Sequence, residues 1–302
     1  MIRFPYAQGM ARAHPLLPFL AAAAGIAMFS MMDAAMKAAA LAAGVYSALL
    51  LRVMLGTVLM VPIWLLTGSG IPAKDVIKVH ALRSAVVACM APLFFWGLVR
   101  MPLAEAIALS FIAPLIALYL AAVLLGEEIG RKAIAASLLG FAGVLVIAAA
   151  RLGEASFSAQ AGWGIAAVLA SAVLYAWNIV LQRQQAQIAG PAEVALFQNL
   201  FVAAFLVPAA PWLLHWPGAG ALRDIGLSAV LAMASLMALS WAYARAETQA
   251  LVPVEYTGFA WAALFGWLWF DEPVTWTTVA GVALIVGACW IAARRPGLQA
   301  AL

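Results

Sequence analysis

Four ionisable side chains stand where an apolar chain should carry none. Asp33, Lys37, Arg52 and Glu255 each lie inside a long hydrophobic run. An ionised group near the centre of a bilayer costs about 3 kcal/mol or more, so each calls for a partner or a function. Asp33 and Lys37 are four residues apart and share one helix face, close enough to pair. They either neutralise each other and hold their helix or, with the surplus cation Arg52, form a gate or a clamp for a ligand carboxylate. Glu255, in the run LVPVEYTG, has no cation three or four residues away. It suits proton coupling or capture of an amino group; the bland alternative is an ion pair with Arg245 at a helix mouth.

The chain around these residues is 302 long, 67% hydrophobic and 9% charged. A soluble domain is about 45–50% apolar and about 25% charged, and needs that charge to coat its surface. The composition excludes a soluble enzyme, a nucleic-acid-binding module and a disordered chain. A polytopic all-α membrane protein remains. Apolar runs predict ten helical segments near 16–39, 45–66, 80–99, 103–125, 133–150, 162–182, 192–212, 225–244, 249–270 and 275–293. The length of the first, with Asp33 and Lys37 inside it, argues for a retained helix over a cleaved leader.

The net charge of +4 reflects the bias of Lys and Arg toward the cytoplasmic side. With the N-terminus inside, that side collects Arg3, Arg12, Lys74, Lys78, Arg83, Arg131, Lys132, Arg183, Arg245, Arg294 and Arg295. The outer side collects Arg100, Arg151 and Arg223. Both termini are therefore expected in the cytoplasm. Cys89 and Cys289 sit in apolar runs and read as buried packing residues.

Sliding the first half along the second aligns segments 1 to 5 with 6 to 10. Trp96 and Arg100 fall on Trp241 and Arg245, Pro62 on Pro208, Gly44 on Gly190, and Glu128 on Glu272. Five helices per half is an odd number, so equivalent helices run in opposite directions. Such inverted repeats let a carrier present one central site to either side. The alignment also sorts the polar residues into two layers. Asp33, Lys37, Arg52, Ser110 and Trp96 lie toward the outside; their counterparts Asn178, Gln182, Gln198, Glu255 and Trp241 lie toward the cytoplasm.

The runs AEAIALSFIAPLIALYLAAVLLGEE (104–128), YTGFAWAALFGWLWFDEP (256–273) and MMDAAMK (31–37) resemble the drug/metabolite transporter superfamily, in particular its EamA-type ten-helix permeases. The resemblance covers essentially the whole chain. It implies two inverted repeats, residues 1–151 and 162–295, and a central site lined by segments 1, 3, 4, 6, 8 and 9, with 5 and 10 as scaffold. It also implies transport of small metabolites, mostly outward. One departure is that Pro114 in segment 4 has Gly258 and Phe259 in the aligned part of segment 9.

Tyr119, Tyr175, Trp177, Trp96, Trp241, Tyr243, Tyr256 and Trp261 are candidates for a cavity wall, although Trp and Tyr also anchor helices at membrane interfaces. Trp212, Trp216, Trp267, Trp269 and Trp276 read as interface anchors. Gly140 to Gly143, with Gly281 and Gly287, read as tight helix packing. Glu127, Glu128, Asp271 and Glu272 read as water-side acids that cap helices. No phosphate-binding loop, metal-ligand spacing or nucleophile-and-base set is visible, so no cofactor, metal or enzymatic activity is expected.

The expected partners are a small-molecule substrate and membrane lipids, without nucleic acid, and a monomer is compatible with every feature. The expectation is an exporter of amphipathic metabolites, neutral or aromatic amino acids foremost, in the bacterial inner membrane. Sugar phosphates would need more cations. Two alternatives are an importer of a nucleoside-like cation such as S-adenosylmethionine, and a membrane-embedded enzyme or structural subunit.

Overall fold

A computed structural model describes residues 16–68, 70–125, 130–152, 159–272 and 276–293. Every regular element among them is helical. In the first half these are α1 (Leu17–Ala43), α2 (Val45–Leu66), α3 (Lys74–Leu98), α4 (Leu103–Ser110), α5 (Ile112–Leu125) and α6 (Arg131–Leu152). In the second they are α7 (Ala159–Ile188), α8 (Pro191–Leu206), the short α9 (Ala210–Leu213), α10 (Ala219–Arg245), α11 (Thr248–Glu255), α12 (Thr257–Phe270) and α13 (Trp276–Ala293). Among the described residues, six helices are long and apolar enough to cross a membrane, three from each half: α1, α2 and α3, then α7 from Gly162, α8 with α9, and α10. Their outward faces carry Leu20, Val58, Trp163, Val173 and Phe205, exposed in numbers that water would not tolerate.

One residue closes α1 and opens α2. Gly44 has φ of 81°, a left-handed conformation that costs a residue with a Cβ about 1–2 kcal/mol. Its N–H donates to the Ala40 carbonyl at 2.9 Å and its carbonyl accepts from Ala48 at 3.1 Å. The two helices therefore meet at a sharp corner, which holds Asp33 and Arg52 near one another.

The segments predicted at 103–125 and 249–270 are each two helices, not one. The first breaks at Phe111 and the second at Tyr256. Pro114 has no N–H to return to the Ser110 carbonyl, which weakens the helix at that point. Proline stands on the other side of the second break, as Pro253 inside α11. The two halves thus differ in where proline sits but break at equivalent positions.

The halves interleave. α1 packs on α10 and, equivalently, α7 on α3; α2 packs on its counterpart α8, and α6 on its counterpart α13. The last pair is close because Gly143 lacks a Cβ, which would lie 2.7 Å from the Gly281 carbonyl oxygen. Among the described residues, none from another helix lies within 4 Å of where a Cβ on Gly287 would be. Cys89 is exposed on the outer face of α3, where an apolar surroundings suits it, instead of buried as expected.

Candidate functional site

The interleaved helices enclose a central cavity of about 130 Å³. Its apolar wall includes Phe29, Met32, Val87, Phe94, Phe95 and Phe111. Polar groups reach it from both halves. A helix turns about 100° per residue, so positions three, four, seven and eleven apart share a face. α7 therefore presents Ser171, Tyr175, Asn178 and Gln182 together, and α3 presents Arg83, Val87, Met90 and Phe94. α1 contributes Ser30 and Asp33, α2 Arg52, α4 Ser110, α8 Gln198 and Asn199, and α11 Glu255. Lining from α2 and α8 corrects the expected set of helices. Among the described residues, α6 and α13 contribute none of the lining.

Glu255 is held by two tyrosines. The Tyr175 hydroxyl donates to Oε2 at 2.5 Å and the Tyr243 hydroxyl to Oε1 at 3.0 Å. The ion pair with Arg245 does not form. Arg245 folds back over its own helix, with its guanidinium carbon 4.0 Å from the Trp241 ring centre and Nη1 donating to the Trp241 carbonyl at 3.2 Å. Arg100 does the same on Trp96, at 3.5 Å and 2.6 Å. The repeated Trp-x-x-x-Arg spacing is thus a pair of capped helix ends. Neither Trp96 nor Trp241 lines the cavity.

Asp33 and Lys37 do not pair, contrary to the spacing argument. Lys37 sits one turn beyond the cavity. Its Nζ donates to the Met101 carbonyl at 2.8 Å, lies 3.8 Å from Glu272 Oε1, and stands 4.9 Å over the Phe270 ring. Glu272 Oε1 also accepts from the backbone N–H of Leu103 at 3.1 Å and so caps α4 from 169 residues away. It is a half-buried interior acid, its side chain 13% exposed, and not a water-side one. Equivalent placement of Glu128 lies outside the described residues. Asp33 remains in the cavity wall, its Oδ1 buried with no hydrogen-bond partner among the described residues. Among the described residues, Arg52 Nη1 reaches only the Met32 sulfur, at 3.5 Å, and its Nε has no hydrogen-bond partner.

Two further aromatic candidates leave the cavity. Trp177 is two residues from Tyr175, about 200° around the helix, and faces outward. Tyr256 is fully buried between the Phe111 ring and the bare backbone of Gly140. The side chain of Tyr119 lies outside the described residues. Eight candidates do line the cavity: Asp33, Arg52, Ser110, Tyr175, Asn178, Gln182, Gln198 and Glu255.

Arg83 was missed. The sequence reading put it at a cytoplasmic mouth, yet it is 1% exposed and lines the cavity. Nε donates to Asn178 Oδ1 at 2.9 Å, Nη2 to Gln182 Oε1 at 3.0 Å, and Nη1 to Gln185 Oε1 at 2.5 Å. The signal was available: Arg83 is nine residues into α3, on the face of Val87, Met90 and Phe94. The predicted start of the third segment at residue 80 hid that depth, since α3 begins two turns earlier, at Lys74.

The EamA-like transporter family model matches residues 16–149 and again 162–294. The chain belongs to that family. It is accordingly a multi-pass membrane protein built of two EamA repeats. Pseudopaline exporter CntI of Pseudomonas aeruginosa is 27% identical over 267 residues, which span 86% of this chain and 90% of the relative. A probable terminal-alkyne amino-acid exporter of Streptantibioticus cattleyicolor is 28% identical over 231 residues, 74% of this chain and 76% of that one. One protein of known crystal structure superposes with a TM-score of 0.75 over 92% of this chain and 98% of its own, at 22% identity. That likeness concerns the fold alone.

Proposed function

We propose that this chain is a secondary transporter that exports small amphipathic metabolites, neutral or aromatic amino acids foremost, by alternating access across the bacterial inner membrane. The observation that carries the reading is the central cavity, enclosed by helices of both matched repeats, aromatic in its walls and holding Asp33, Arg52, Arg83 and Glu255. Carboxylate and cationic groups in one cavity suit a zwitterion, and phenylalanine rings suit its side chain. Two relatives named as exporters support outward movement, and one of those names concerns an amino acid.

In this reading the protein has ten spans in two inverted units, residues 1–151 and 162–295. α4 with α5, and α11 with α12, each form one broken span; helices interrupted in this way border the substrate site of many carriers. Both termini are cytoplasmic. Removing the buried Arg83 from the count leaves ten cations against three, which still supports that orientation. Ser110, Tyr175, Asn178, Gln182 and Gln198 contact the substrate beside the four charges. The Lys37–Glu272 contact closes one end of the cavity.

Liposomes containing the purified protein and no ATP should move labelled leucine, phenylalanine or tryptophan down a gradient. Absence of flux for every amino acid tested overturns the substrate class. Glu255→Gln should remove any dependence of the flux on a pH gradient; unchanged transport by that variant eliminates Glu255 as the coupling group.

A further inference from the structure

The central cavity holds two carboxylates and two guanidinium groups, and one of the four is arranged differently from the rest. Arg83 is buried, and its three hydrogen bonds all go to neutral amide oxygens of α7. No carboxylate lies within 4.0 Å of it among the described residues. Glu255 makes no hydrogen bond to it; its two oxygens accept from the Tyr175 and Tyr243 hydroxyls instead.

One of these amides is itself fixed from behind. Gln185 is hydrogen-bonded to His80 Nδ1, and His80 Nε2 meets Glu193 Oε1 at 3.0 Å while its ring stacks on Phe197 with centroids 5.0 Å apart. Glu193 is the only carboxylate this chain of bonds reaches among the described residues, and two side chains separate it from the guanidinium.

Such an arrangement aims a cation without neutralising it. Amide oxygens orient the planar guanidinium but bring no charge, so burying it stays costly until an anion arrives. A guanidinium has five N–H groups. Three are used, which leaves one on each terminal nitrogen, the pair that a carboxylate engages in bidentate fashion.

We infer that Arg83 is the residue that binds the carboxylate of the transported molecule, and that Asn178, Gln182 and Gln185 hold it in position. The substrates are therefore carboxylates, and their amides are discriminated against. This deepens the transport reading above and rests on it.

The test uses liposomes with labelled phenylalanine and phenylalaninamide as probes, and reads the ratio of their kcat/KM values. Wild type should favour the acid by about tenfold or more, the scale of a charge-assisted hydrogen bond. Arg83→Gln should bring the ratio near one, and Arg83→Lys should give an intermediate value, since it keeps the charge and loses the fork. Gln182→Glu gives Arg83 an internal counter-ion at nearly constant volume; it should lower the ratio as well, which decides the matter if the Arg83 variants do not fold. A folded variant of either kind with the wild-type ratio overturns the assignment while leaving transport intact. Wild-type flux that ignores the carboxylate also overturns it. No wild-type flux of either probe or of any other amino acid overturns the transport reading and this inference together.

Discussion

Phe111 and Tyr256 pack ring to ring, centroids 5.0 Å apart and planes tilted by 56°, and each is the residue at which a helix breaks. They occupy equivalent places in the two repeats. The breaks of α4–α5 and α11–α12 therefore meet at a single contact beside the cavity, which Phe111 lines. Ser30 strengthens this junction by donating its hydroxyl to the Gly258 carbonyl at 3.2 Å. The centre of the protein is thus held by packing between the two irregular helices, and a change there reaches both halves.

Gly140→Ala tests that junction. Its new methyl would lie 2.5 Å from Tyr256 Cδ2, a distance that forces the ring or the helix to move. We expect a loss of about 1–3 kcal/mol, the range for overpacked sites. Tyr256→Ala alone should also destabilise, but the double variant should lose clearly less than the sum, because the clash vanishes with the ring. Thermal unfolding of purified protein in detergent reads all three. Strict additivity would count against the contact.

Lys37 and Glu272 should be energetically coupled. Glu272→Gln removes a carboxylate that lies 3.8 Å from the buried ammonium and weakens the cap on α4, for an expected loss of about 1–3 kcal/mol. Lys37→Met removes the cation, and in that background Glu272→Gln should cost measurably less. Unfolding of the two single variants and the double variant gives the coupling. If the contact closes one end of the cavity, Glu272→Gln should also change flux more than its stability loss explains.

Tyr175 and Tyr243 hold Glu255 unequally. The hydrogen bond from Tyr175, at 2.5 Å, is the shorter, and Tyr175 lines the cavity while Tyr243 lies behind the carboxylate. Tyr175→Phe should lower amino-acid flux about tenfold or more, the scale of one hydrogen bond to a charged group. Tyr243→Phe should alter flux less. Either substitution introduced into Glu255→Gln should have little further effect. Equal losses from the two tyrosines would show that Glu255 is not oriented toward the cavity in the way its contacts indicate.

Much of the site was legible from helix periodicity. Tyr175, Asn178 and Gln182 share a face at spacings of three and four, and that face is the one that meets the cavity. The same arithmetic excludes Trp177, a signal present in the sequence that residue type alone obscured. Arg83 was displaced to a mouth because the start of an apolar run marks hydrophobicity and not the start of the helix. Lys37 was misjudged for a different reason. Its spacing from Asp33 permits a pair, but Glu272 and the Met101 carbonyl are supplied by helices distant in the chain.

Composition and repetition along the chain are sums over local terms, so they alone determined that this protein lives in a membrane, consists of two repeats, and carries isolated charges inside its spans. Periodicity added which residues share a helix face. Partner choice is different in kind. Which carboxylate meets Lys37, which amides clamp Arg83, and which rings fill the space between the broken helices depend on how α1, α3, α7 and the α11–α12 break cross one another. Those crossings join residues 64 to 235 positions apart, beyond the reach of any local pattern, and only the tertiary structure decided them.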